Sequence, residues 1–116
     1  MEITVTIKKK ILVVSLSGER DHHTAKKVND LAEEVIKNKG ITNLVFDFTK
    51  LTFMDSSGIG VVVGRYKLVS SLGGHVAIVN NSATIDRLLT MSGIKKIIAV
   101  RNSVTDAINY LQEEIS

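Results

Sequence analysis

"TNLVFDFTKLTFMDSSGIGVVVGRY", residues 42–66, decides how this chain folds. Its first seven residues, 42–48, are apolar enough for a short central strand. From Ile59 the period changes: Ile59, Val62, Val63, Tyr66 and then Val69 recur at helical spacing. Between the two lies "FMDSSGIG" (53–60), an acid, two hydroxyls and two glycines wedged between apolar runs. Asp55, Ser56 and Ser57 are all residue types that accept hydrogen bonds from the orphan amides of a first helical turn. Strand, cap and helix in immediate succession are the repeating unit of an α/β sheet.

The same grammar extends in both directions. "EITVTIK" (2–8) alternates Ile3, Val5 and Ile7 with polar neighbours, and "KILVVSLSG" (10–18) follows at once, so the basic "KKK" marks a hairpin turn or an exposed strand end. Val28, Leu31, Ala32, Val35 and Ile36 form a helical stripe, with Asp21 or Thr24 as its cap and Gly40 at its end. Downstream, the second helix ends near Gly73–Gly74 and "HVAIV" (75–79) is a strand. Ser82 caps a helix carrying Ile85, Leu88, Leu89 and Met91, stopped by Gly93. "KIIAV" (96–100) is expected as the fifth strand, and Ser103 begins a helix with Val104, Ala107, Ile108 and Leu111. The expectation is one α/β domain over residues 1–116, of order β-β-α-β-α-β-α-β-α, with a mixed, mainly parallel sheet of about five strands and about four helices.

Composition narrows the function classes. Apolar residues make up 44% of the 116, charged residues 23% and aromatics 4%, the profile of a globular chain with an aliphatic core. Cysteine is absent, which removes disulfides, thiolate metal sites and a cysteine nucleophile. No segment reaches the roughly 18–20 uninterrupted apolar residues of a membrane span, and the N-terminus lacks the order of a secretory signal. The expectation is a cytoplasmic protein without membrane contact. A formal charge of +3, with basic residues scattered and no aromatics among them, argues against direct nucleic-acid binding. No apolar stripe is left over on the helices, so a monomer when free is the default.

Chemistry-bearing patterns are few. Glycines at 58, 60 and 64 resemble a dinucleotide fingerprint, but the third is one residue late and no acid closes a matching strand. A phosphate-cradling glycine-lysine loop is absent. Ser56 as nucleophile, His22 or His23 as base and Asp21 or Asp55 as orienter supplies the residue types of a hydrolase, without a nucleophile elbow. Histidines 22, 23 and 75 show no ligand spacing, so neither metal nor cofactor is expected. What remains is the motif's place after a central strand, where α/β sheets present sites. Ser56 belongs at a helix N-terminus, where free amides and the macrodipole favour an anion. A phosphate there adds about −1.5 to −2 charges, which makes Ser56 a candidate phosphoacceptor. Simple capping explains the same residues equally well, and the two roles are compatible.

"FMDSSGIGVVVGRYK" (53–67), with "GERDHHTA" (18–25), "GGHVAIVN" (73–80) and "MSGIKKII" (91–98), resembles the anti-sigma factor antagonists of the STAS domain class, and most of all their sporulation branch. The similarity runs over nearly the whole chain. The resemblance implies a non-catalytic binding module. In its unphosphorylated form it would bind an anti-sigma factor that is also a serine kinase, releasing a sigma factor. The kinase would use ATP to phosphorylate Ser56, and a metal-dependent PP2C-type phosphatase would reverse the step. It also implies a docking surface of Asp55, Ser57, Gly58, Ile59 and Gly60, with Asp21 touching the kinase beside it. Arg20 departs from the pattern, since relatives usually carry an aliphatic residue there. A stress-response antagonist of the same fold is the alternative.

Overall fold

A hairpin opens the chain: β1 (Glu2–Lys8) and β2 (Ile11–Glu19) pair antiparallel, with Lys8 opposite Ile11, so Lys9 and Lys10 alone make the turn. Both have positive φ, 52° and 65°, the conformation of the primed turn that matches strand twist. In this computed structural model residues 2–19 and 22–115 are described. Arg20 and Asp21, and the side chains of His22, His23 and Thr24, lie outside the described part, and with them the expectations placed on those groups. Thr24 does not cap the first helix, because the helix already begins at His22.

After the hairpin come α1 (His22–Lys39), β3 (Asn43–Phe53), α2 (Ser56–Ser71), β4 (Val76–Val79), α3 (Ala83–Met91), β5 (Ala99–Arg101) and α4 (Val104–Ile115). The expected order of elements is the observed one. The five strands lie side by side in sequence order, β1-β2-β3-β4-β5, antiparallel at the first pair and parallel at the rest. Each parallel step advances in the same direction, and a right-handed crossover then puts every connecting helix on the same face. Leu12, Val14, Leu16, Leu44, Phe46, Phe48 and Ile78 accordingly bury against Val28 and Ala32 of α1, Val62 and Val69 of α2, and Ile85 and Leu89 of α3. Only α4 crosses to the other face, where Ala107, Ile108 and Leu111 cover Ile11, Val13, Val45, Ala77 and Val79. Alternation along β2, β3 and β4 thus serves two cores.

Two boundaries differ from the sequence expectation. β3 runs to Phe53, five residues beyond the expected end. Its partners step from Ser15↔Asp47 to Ser17↔Lys50, so β3 carries one extra residue there, a bulge. The Asp47 carboxylate stabilises it by accepting hydrogen bonds from the Thr49 amide at 3.1 Å, the Thr49 hydroxyl at 2.8 Å and the Ser15 hydroxyl at 2.9 Å. Beyond the bulge the buried position shifts from Phe48 to Leu51, which breaks the two-residue period and hides the strand's continuation. At the other end, "KIIAV" is not a five-residue strand. Ile94–Lys96 forms a 3-10 turn whose Ile94 plugs the first core, and β5 starts only at Ala99.

The end of α2 is set by close approach. Gly73 adopts φ +79°, and the Gly74 amide donates to Val69 O at 2.8 Å. A Cβ on Gly74 would lie 1.8 Å from the backbone oxygen of Thr42, so the β3 entrance leaves no room for any side chain. Gly74→Ala is therefore expected to lower stability by about 3 kcal/mol, the upper end for overpacking, as measured by urea denaturation. Lys9→Asn with Lys10→Gly should raise it by about 1 kcal/mol, because two lysines leave the left-handed region they now occupy.

Candidate functional site

The bulged end of β3 delivers Phe53 and Met54 to the carboxyl edge of the sheet, where α2 begins. Met54 turns inward and is buried, whereas Phe53 is 51% exposed. Asp55 then takes an extended conformation, φ −108° and ψ −173°, as the N-cap of α2. Its Oδ1 accepts the Ser57 amide at 3.0 Å, the Gly58 amide at 3.3 Å and the Ser57 hydroxyl. A carboxylate at this position also favours the positive end of the helix dipole.

The three cap-competent residues therefore divide the work. Asp55 is the cap, Ser57 is tied to it, and Ser56 is the first helical residue, exposed and without a hydrogen-bond partner for its hydroxyl among the described residues. The Ser57 and Gly58 amides that sequence reasoning left open for a phosphate are already taken by Asp55. An anion on Ser56 would stand beside a carboxylate rather than in an empty cradle. Gly58 is buried above the core, lining a small void with Phe46, Phe48, Met54 and Val62, while Ile59 is half-buried and Gly60 exposed. Two interior glycines in a helix suggest a close backbone approach, but here there is none: a Cβ at Gly60 or Gly64 would meet no atom within 4 Å outside its own turns of helix.

Two apolar residues at the site, one at the head of the motif and one on α3, escaped the sequence reading as contacts. Phe53 and Met91 line one groove of about 210 Å³ between the end of β3 and α3, together with Thr84, Arg87 and Leu88. Met91 was placed on the apolar stripe of α3 but is 80% exposed. It follows the buried Leu89 by two residues, about 200° around the helix, so helical geometry alone could have separated it from that stripe. On the opposite side, Arg65 Nη1 donates to Glu33 Oε1 at 3.0 Å and locks α2 to α1. No crevice of the switch-point type arises at this edge, because the strand order never reverses. Among the described residues no group of three or more His, Cys, Asp or Glu could hold a metal ion. No described helix is long and apolar enough to cross a membrane.

A STAS domain family model matches residues 2–107. The chain belongs to the STAS domain family, among its anti-sigma factor antagonists. It is 40% identical over 102 residues to the anti-sigma F factor antagonist of Paenibacillus polymyxa, covering 88% of this chain and 87% of that one. It is 31% identical over 105 residues to an anti-sigma-B factor antagonist of Listeria monocytogenes, covering 88% and 91%. The Bacillus cell fate determinant SpoIIAA, in its phosphorylated form, matches this STAS domain with a TM-score of 0.75 at 26% identity, covering 94% and 98% of the two chains. Membership makes this STAS domain a regulatory protein and not an enzyme.

The cap and the unencumbered glycine respond oppositely to alanine. Asp55→Ala should lower the stability of this STAS domain by about 1 kcal/mol, the usual worth of an N-cap. Gly64→Ala should raise it by about 0.5–1 kcal/mol, because the site has room and the helix gains propensity. Thermal melts of both variants check the pair.

Proposed function

We propose that this anti-sigma factor antagonist is a phosphorylation-controlled switch with Ser56 as its phosphoacceptor. In the unphosphorylated form it binds an anti-sigma factor that is also a serine kinase, and the sigma factor is released. Asp55, Ser57, Gly58, Ile59 and Gly60 form the docking surface, with Asp21 beside it and Phe53 and Met91 extending it as apolar contacts. The kinase transfers the γ-phosphoryl group of ATP to the Ser56 hydroxyl, and a PP2C-type phosphatase removes it. The protein acts in the cytoplasm, during sporulation, without touching DNA itself.

One observation carries the choice of residue. Ser56 and Ser57 are adjacent, yet only the Ser56 hydroxyl is both exposed and unbonded, whereas the Ser57 hydroxyl is spent on Asp55. The likeness to SpoIIAA, a protein known in a phosphorylated form, supports the same reading. The energetics are sufficient without any change of shape. Turning a partner away a hundred- to thousandfold requires about 3–4 kcal/mol. A phosphate dianion forced into a desolvated protein contact supplies that through unpaired burial, and the adjoining Asp55 carboxylate raises the cost as solvent leaves. A second reading, control of a stress-response sigma factor, is favoured by the anti-sigma-B relative at 31% identity.

Incubation with the sporulation kinase and ATP, followed by mass spectrometry of the modified peptide, should place one phosphate on Ser56. A phosphate on Ser57 or elsewhere would overturn the assignment. Ser56→Ala should keep partner binding and resist modification, and Ser56→Asp should weaken binding about tenfold or more. Selective binding to a stress-type kinase would favour the second reading.

A further inference from the structure

β1 is one edge of the sheet, and among the described residues its only ladder is to β2. Its sequence, Glu-Ile-Thr-Val-Thr-Ile-Lys from Glu2 to Lys8, is the same in either direction about Val5, except that its two ends carry opposite charge. The two-residue turn at Lys9–Lys10 makes Lys8 and Ile11 the hydrogen-bonded pair that closes the hairpin. Lys8, Thr6, Thr4 and Glu2 therefore direct their backbone groups toward β2. Ile3, Val5 and Ile7 direct theirs outward, to the open edge.

We propose that β1 is a self-association edge, at which a second copy of this chain pairs antiparallel across a twofold axis through Val5. The two five-stranded sheets then join into one. Val5 meets the partner's Val5, and Ile3 meets the partner's Ile7, so every outward-facing N–H and C=O of the strand finds its counterpart. Ile3 and Val5 already pack on the helix-covered core, and Ile7, 39% exposed, continues the same row. Pairing covers Ile7 with the partner's Ile3 and extends the apolar row through the axis. On the other face Thr4 meets the partner's Thr6, and Glu2 meets the partner's Lys8 at both ends.

Charge selects this register over its neighbours. Moving the axis to Thr4 takes Glu2 from the partner's Lys8 to its Thr6 and leaves Lys8 opposite no residue, and parallel pairing sets Glu2 beside Glu2 and Lys8 beside Lys8. An edge of seven regular residues with no inward charge, bulge or proline is otherwise an unguarded template for association. The opposite edge, β5, has only three residues. The lack of a surplus apolar stripe makes a monomer the expectation from sequence, but backbone pairing at a strand edge needs no such stripe. This inference does not rest on the reading of Ser56.

Sedimentation equilibrium over a concentration series tests it. The parent chain is expected to show a reversible dimer. Lys8→Glu should weaken the dimer roughly tenfold, since each end then opposes two acids, and Glu2→Lys should do the same with two bases. Combining Glu2→Lys with Lys8→Glu should restore the parent affinity, because the strand is again complementary to itself. Val5→Pro removes an outward amide that the β2 ladder does not use, and should abolish the dimer while circular dichroism shows a folded chain. A chain that stays monomeric to about 1 mM, a double swap that fails to restore association, or a dimer that survives Val5→Pro would overturn the proposal.

Discussion

A parallel strand can be reached from its neighbour only by a crossover, and crossovers of L-residue chains are right-handed. That constraint governs this protein because its strands advance in sequence order without a reversal. Three successive crossovers must then lie on one face, which gathers α1, α2 and α3 over a single aliphatic core. Their N-termini are thereby set along one edge of the sheet. α4 connects no two strands among the described residues, so no crossover constrains it, and it closes the other face. The same winding that builds the core also denies the edge a switch-point cleft.

At that surface a single carboxylate separates two chemically identical neighbours. Asp55 Oδ1 draws in the Ser57 amide, the Gly58 amide and the Ser57 hydroxyl, and leaves the Ser56 hydroxyl to solvent. Under the proposed function, capping and switching are consequences of one arrangement. The cap fixes the helix start firmly enough to present Ser56 at a defined place, and it brings a negative charge beside it. The proposed switch draws its energy from burying that crowded charge at a partner contact. A phosphate nested among helix amides would have been quieter. The glycines at 60 and 64 add no contact inside the fold, so their cost to α2 has no compensation within the chain itself.

Much of this was legible in the residues. Alternation in "EITVTIK", the helical stripes at Val28–Ile36 and Val104–Leu111, and the caps at Ser82 and Ser103 act over a few residues, and local physics fixes them. The sequence failed where a period was interrupted from outside. The bulge at Asp47 shifts the buried position by one and conceals the last five of the eleven residues of β3, and its stabilisation needs Ser15, thirty-two residues away. The expected strand "KIIAV" was shortened because Ile94 is drawn into the core by a 3-10 turn.

By itself, then, the sequence determined the element order, the α/β class and the serine-rich cap, since helix and strand periods and cap chemistry are properties of neighbours along the chain. Only the tertiary structure decided which of three cap-competent residues became the cap, that Phe53 and Met91 share one exposed groove, and that α4 stands alone on its face. Those outcomes depend on which groups meet across the sheet and at its edges. Hydrogen-bond competition and packing between distant segments settle them, and neither acts until the chain has closed on itself.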